Sequence, residues 1–335
     1  MTFDSLRATA IPFAVALRIP FRGLTVREGL VIQGPRGWGE FAPFDDYSDA
    51  RAARWLTSAV EAAYAPWPTL LRSAIPVNAI IPGVDASTAG ILAREAIAES
   101  GCAVIKVKVG SPELADDEAR VVAVRDALDV AGGGVIRLDA NGAWSTEQAI
   151  RALRRLVAYG VELVEQPCAT LEEIAAVRRA VDVPIAVDEC VRLADDPGSV
   201  SVRNAADVAV IKPPTLGGVL ASMRVAESLG VPILVSGSLD TSVGLATPLA
   251  FAAAWPDLHL ASGLGTGRLL ATDLVEQTIV PRRGALPVVH LAPELDHLLA
   301  ARDAVSVERV AYWWARLERA WHAGADRAVE GWLRT

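Results

Sequence analysis

Cysteine and histidine are scarce in this chain, and their scarcity narrows its chemistry. Three of its 335 residues are cysteine and four are histidine. Cys102, Cys168 and Cys190 are odd in number and lack the paired spacing of a metal finger, so they read as reduced thiols rather than a disulfide framework. Cys168 and Cys190 fall just past charged strand ends, yet free cysteines are most often small buried residues, and that is the expectation. A basic excess is missing too. The formal net charge of -8 removes the cationic face that nucleic acid requires. It does not count against a small anionic ligand, because the local potential of a pocket can oppose the global charge. No apolar run is long enough to cross a bilayer. The start, Met1-Thr2-Phe3-Asp4-Ser5-Leu6-Arg7, lacks the basic opening of a secretory leader. The expectation is a cytoplasmic protein with no membrane or nucleic-acid partner. Hydrophobic residues make up 52% of the chain, so a large core is expected and disorder is not.

What the chain has in quantity is short apolar runs that end in charge. Ile105-Lys106-Val107-Lys108-Val109 is one. Val135 to Asn141 carries Asp139, Val161 to Pro167 carries Glu165, and Pro184 to Glu189 carries Asp188. A fifth run, Val208 to Pro213, carries Lys212. Segments of helical periodicity separate them, at the roughly 25–30-residue repeat of a βα unit. Apolar strand, charge at its carboxyl end, then helix, repeated, is how a parallel α/β barrel presents a site.

The pattern divides the chain. Residues 1–75 read as a small α+β unit: strands Pro12 to Ile19 and Leu24 to Gln33, a turn at Gly34-Pro35-Arg36-Gly37, and a helix from Asp49 to Tyr64. Phe21-Arg22-Gly23 reads as a mobile loop, a candidate lid. Residues 76–280 read as the barrel. Its first strand is Val77 to Ile81, its seventh Pro232 to Val235 and its eighth Leu258 to Ala261, with helix seven from Val243 to Trp255. Residues 281–335 are expected to pack back on the first unit through a helix bearing Val307, Val310, Trp314, Leu317 and Trp321.

In an eight-stranded barrel the second and sixth strands stand opposite each other. Lys106 and Lys108 therefore face Lys212, with Asp139, Glu165 and Asp188 along the arc between. Three hard oxygen ligands on a rigid frame suit Mg²⁺. Two neighbouring lysines, and a cation beside them, depress a lysine pKa and make a general base near neutrality. The chemistry that uses both is removal of a weakly acidic proton next to a carboxylate, so a small-molecule carboxylate is the expected substrate. Singly, each residue has a plainer reading: a helix cap, a rim charge or, for Lys212, a Schiff-base lysine. The ordered set is what those readings explain poorly.

At these residues the chain resembles the enolase superfamily, in its muconate-lactonising subgroup. The resemblance rests on Lys106-Val107-Lys108, on Asp139, Glu165 and Asp188, and on Lys212, and it extends over nearly the whole chain. It implies an enolase-type modified TIM barrel, (β/α)7β, with an α+β capping domain built from both termini. Phe21 to Glu28, Gly37 to Pro43 and Ser236 to Gly244 further resemble the members that aromatise a hydroxy-succinyl-cyclohexadiene carboxylate by loss of water. By that resemblance Lys108 takes the proton and Lys212 steadies the enediolate, with Lys106 tuning Lys108. Asn141 and Glu189 orient ligands and lysines, while Ser236, Ser238, Gly263 and Gly265 hold the succinyl tail. For the glycines a tight turn is an equal reading.

Two opposed lysines also suit racemisation of an N-acylamino acid. Dipeptide epimerases of the superfamily carry an Asp-x-Asp on strand eight, where this chain has Ser262-Gly263-Leu264-Gly265. A non-catalytic barrel is the alternative from another class, although no ligand or base is missing. The oligomeric state is not written in these residues.

Overall fold

The computed structural model describes residues 1–333; residues 334–335, the end of the expected returning tail, lie outside the described residues. Three antiparallel strands open the chain: β1 (Ala10–Phe21), β2 (Leu24–Gly34) and β3 (Gly37–Phe41). β1 turns into β2 through Arg22 and Gly23, with φ of 54° and 74°, the left-handed pair that suits a two-residue hairpin. The helix Asp49–Tyr64 follows, its first turn capped by the Ser48 hydroxyl, which accepts from the Arg51 N–H. It buries Trp55, Leu56 and Val60. Gly39 is needed here because a Cβ would run into the Ala59 carbonyl, so strand and helix touch backbone to backbone. The helix Val307–Ala320 returns to the same core, with Trp313 edge-on to Phe41 at 6.2 Å and Leu317 fully buried.

β4 (Ala74–Pro76) leads into the barrel. Seven parallel strands then pair in chain order: β5 (Ala79–Ile81), β6 (Val104–Lys108), β7 (Val135–Asp139), β8 (Val161–Glu165), β9 (Ile185–Val187), β10 (Val208–Ile211) and β11 (Ile233–Val235). Their outward apolar residues, among them Ile105, Val107, Ile136, Leu138 and Val164, join the helices in one continuous core. β12 (Ala285–Pro287) pairs antiparallel with β4.

The expected eighth strand differs. Leu258 to Ala261 forms no strand; closure comes one step later, where Ser262 bridges Val77 and Gly263 bridges Ser236. The Asn78 N–H donates to the Ser262 carbonyl at 3.0 Å, and the Gly263 N–H to that of Val235 at 2.7 Å. The buried Arg137 guanidinium explains the shift. It pairs with Glu162 at 2.7 Å and donates to the Ala261 carbonyl at 2.5 Å, taking the acceptor a ladder would use. The helix expected over Val243 to Trp255 begins at Ala246 instead and ends at Ala254. Val243 to Leu245 form the turn that leads into it, the Gly244 N–H donating to the Thr241 hydroxyl at 3.3 Å and the Leu245 N–H to the Thr241 carbonyl at 2.9 Å. A helix at Leu295–Asp303 has no counterpart in the sequence reading. Among the described residues no helix is long and apolar enough to cross a membrane.

One buried carboxylate fastens the two units. Glu61, on the helix Asp49–Tyr64, accepts from the Val219 and Leu220 N–H groups that open the barrel helix Val219–Leu229. Gly218 (φ 103°) has no room for a Cβ against that carboxylate. Burial pushes the Glu61 carboxyl up to about 7, against the pull of its two backbone donors and Arg224. Because the folded-state value is raised, the stability contributed by the protonated form is complete below about 4.5 and is lost as pH rises through about 7. Urea unfolding from about pH 5 to about pH 8 should show the wild type losing on the order of 2 kcal/mol relative to Glu61→Gln. Parallel pH profiles for the two proteins would refute this role.

Candidate active site

The alternation of side chains along each strand turns Lys106 and Lys108 of β6 to the inside, and the register sets Lys108 opposite Asp139 and Asp139 opposite Glu165. The Lys106 ammonium lies 3.1 Å from Asp139 and 3.0 Å from Glu165, almost wholly buried. The Lys108 ammonium lies 2.6 Å from Asp139 and 2.6 Å from the Asn141 amide oxygen. Across the mouth, Lys212 holds Asp188 at 2.5 Å. Lys106, Lys108, Asn141, Lys212, Ser236, Ser238 and Gly263 share one cavity, roofed by Phe21, Arg22, Phe44 and Tyr47 of the first unit.

The charges shape one another. Burial lowers the pKa of Lys108, and the Lys106 ammonium adds to that, outweighing Asp139. Burial would lower Lys106 as well, but Glu165 and Asp139 together raise it above the ordinary lysine range. Burial works to raise Asp139, yet Lys108 and Lys106 hold it well below the usual carboxylate range. Glu165 is pushed up to about 7 by burial and by the negative charges of Asp139 and Asp188. Asp188 is held low: burial is overcome by Arg192 and Lys212.

Arg192 is one of two residues here that the sequence pattern does not single out. On the short helix Glu189–Arg192 it donates to Asp188 at 2.9 Å and to Glu189 at 2.6 Å, and it reaches the Tyr47 hydroxyl. Its spacing of three and four residues from two acids was a readable signal; Tyr47, from another unit, left none. Gln166 is the other. At φ 43° it follows β8, accepts from the Asp188 N–H at 2.9 Å and donates to the Cys168 carbonyl and the Cys190 sulfur. Asn141 bonds Glu189 at 3.1 Å as well as Lys108. Cys102 and Cys168 are buried and Cys190 is half-buried.

The four residues expected at the substrate tail separate. Ser236 donates to the Gly263 carbonyl at 3.2 Å, and Gly263 has no room for a Cβ against Ser236. The buried Ser238 hydroxyl has no protein partner. Gly265 packs on the Asn78 carbonyl and lines a neighbouring groove with Arg18 and Arg268 instead. Neither Gly263 nor Gly265 has a positive φ, so close approach rather than turn geometry calls for glycine.

Among the described residues, no three acid, histidine or cysteine side chains stand as a ready-made metal cluster, and lysine ammonium groups pair with the three carboxylates. The donor set still fits a hard cation. Three carboxylates feel one another's charge, and the buried Glu165 Oε1 has no partner at all.

An enolase N-terminal domain-like family model matches residues 13–63, and an enolase C-terminal domain-like model matches residues 89–293. The chain is 49% identical to o-succinylbenzoate synthase of Thermobifida fusca, over 84% of this chain and 87% of that one. It is 46% identical to o-succinylbenzoate synthase of Mycolicibacterium smegmatis, over 96% of each. Among solved structures, the muconate lactonizing enzyme of Pseudomonas fluorescens, complexed with muconolactone, superposes with a TM-score of 0.72 at 20% identity, covering 91% of this chain and 97% of that one. On these grounds the chain belongs to the o-succinylbenzoate synthase family of the enolase superfamily and is a lyase.

Proposed function

We propose that the protein catalyses magnesium-dependent dehydration of 2-succinyl-6-hydroxy-2,4-cyclohexadiene-1-carboxylate to o-succinylbenzoate, a step of menaquinone biosynthesis. The observation that carries this reading is the pair of lysines, Lys108 and Lys212, opposed across one cavity with the carboxylates between them. Named relatives with that activity support it along most of the chain.

Asp139, Glu165 and Asp188 are the residues that would hold the metal, and a bound divalent cation would neutralise the negative charge that develops on the substrate carboxylate. Lys108, its pKa lowered, takes the proton from the carbon beside that carboxylate. Lys212 lies on the far wall and steadies the enediolate by its charge. The proton on Lys108 then passes to the departing hydroxyl. The carbon–oxygen bond breaks, water leaves, and the ring becomes aromatic. Lys106 stays protonated and keeps Lys108 acidic. Asn141 aims Lys108, and Arg192 with Glu189 fixes Asp188.

The opposed lysines also support a second reading, racemisation of N-succinylamino acids, which needs one acid and one base on opposite faces. Incubation of each substrate with Mg²⁺ in heavy water separates the two readings. Ultraviolet absorbance follows aromatisation, and deuterium uptake follows racemisation.

Lys108→Ala and Lys212→Ala should each lower turnover at least about 10²–10⁴-fold with the circular dichroism spectrum unchanged; near-normal turnover in either would remove its role. Glu165→Gln should weaken Mg²⁺ binding at least about 10–100-fold, the loss typical of a group one shell further out, in a calorimetric titration. Unaltered affinity would take Glu165 out of the ligand set.

A further inference from the structure

One wall of the cavity, Ser236 to Leu239, follows β11 and is secured from two sides. On the barrel side the Ser236 N–H donates to the Ile211 carbonyl at 2.9 Å and the Gly237 N–H to that of Gly263 at 3.1 Å. On the other side, residues of the first unit take hold. Arg27 of β2, buried, donates to the Leu239 carbonyl at 3.1 Å and also reaches the Ala42 carbonyl. Glu40 of β3 accepts from the Thr241 N–H at 3.1 Å and from its hydroxyl at 2.5 Å. Asp240 lies in the field of Arg27 and accepts from the Ser238 N–H at 2.8 Å. Arg27 also lies 4.6 Å over the Phe44 ring, which lines the same cavity.

Stability is a weak reason for such a cluster. A buried arginine with two carboxylates is often matched or bettered by apolar packing of the same volume. Leu239 adds to the cost: its φ of 62° lies in the left-handed region that a leucine disfavours. What the cluster delivers is orientation. The Ser238 N–H is consumed by Asp240, and the Ser238 hydroxyl is left buried and unpartnered on the cavity wall.

We propose that Arg27 and Glu40 are positioning residues. From the first unit they clamp residues 239–241 so that the Ser238 hydroxyl is presented to an oxygen of the substrate remote from the reacting carbon. The inference rests on the functional reading above, since it takes this cavity as the substrate site. Neither residue touches the substrate; both act through the 238–241 segment. The first unit thereby sets affinity, while turnover stays with the barrel lysines.

A double-mutant cycle tests it, with kcat and KM for the dehydration and calorimetric binding of o-succinylbenzoate as readouts. Glu40→Ala and Ser238→Ala are each expected to raise KM and the product dissociation constant roughly tenfold, the loss of about one hydrogen bond, with kcat within about threefold. Together they should cost no more than Ser238→Ala alone. Thr241→Val should reproduce the Glu40→Ala effect, and Thr241→Ser, which restores the hydroxyl, should reverse it. These two variants decide the matter if Glu40→Ala does not fold. Additive effects, or a lowered thermal midpoint with KM unchanged, would overturn the positioning role. A wild-type protein that neither binds nor forms o-succinylbenzoate would overturn the functional reading instead.

Discussion

Three carboxylates cannot be buried within reach of one another unless positive charge is buried with them, and the site follows from that constraint. Asp139, Glu165 and Asp188 end consecutive strands and are almost wholly shielded from solvent. Isolated, each would be driven to its neutral form. Lys106 sits between Asp139 and Glu165, Lys108 against Asp139, and Lys212 and Arg192 on either side of Asp188. The compensation is unequal, and the inequality is chemically useful. Lys106, with two carboxylates, is locked in its charged form. Lys108 is buried beside that fixed charge and is the lysine whose proton is easier to lose. Two lysines separated by one valine thus acquire opposite tendencies from their surroundings alone.

The second dependence is between the two units. The barrel supplies the lysines and carboxylates that line the cavity, but the cavity is not closed by the barrel. Phe21, Arg22, Phe44 and Tyr47 come from the first unit, and Tyr47 reaches Arg192 and through it Asp188. Glu61 caps a barrel helix from the helix of the first unit. Arg27 and Glu40 grip the segment after β11. Each contact is a buried polar group whose partner lies far away in sequence, so neither unit satisfies its own interior by itself.

Sequence reasoning reached the strand ends because two local signals coincide there. Apolar β-branched runs mark strands, and a charged residue at the end of each run breaks the pattern. Lys106, Lys108, Asp139, Glu165, Asp188 and Lys212 therefore stood out, and the structure brings them to one rim. The same signal failed at Leu258 to Ala261. A hydrophobic run was present, but a guanidinium from β7 takes the Ala261 carbonyl and displaces closure to Ser262 and Gly263. It failed again at Val243 to Leu245, where apolar composition suggested helix and the chain instead makes a turn held by the Thr241 hydroxyl and carbonyl. Gly265 was grouped with the site by proximity in sequence; it faces the adjacent groove.

The residues by themselves determined the alternation of strand and helix, the inward sequence of charges, and the family to which both belong. Those are set by local periodicity and by side-chain chemistry, which one chain displays in order. The tertiary structure alone decided which lysine is the more acidic, which serine hydroxyl is left unbonded, and how the first unit grips the barrel. Each depends on burial and on partners brought together across strands or units, from Lys108 and Asp139 on neighbouring strands to Arg27 and Leu239 on opposite units, and such pairings leave no periodic trace in a single sequence.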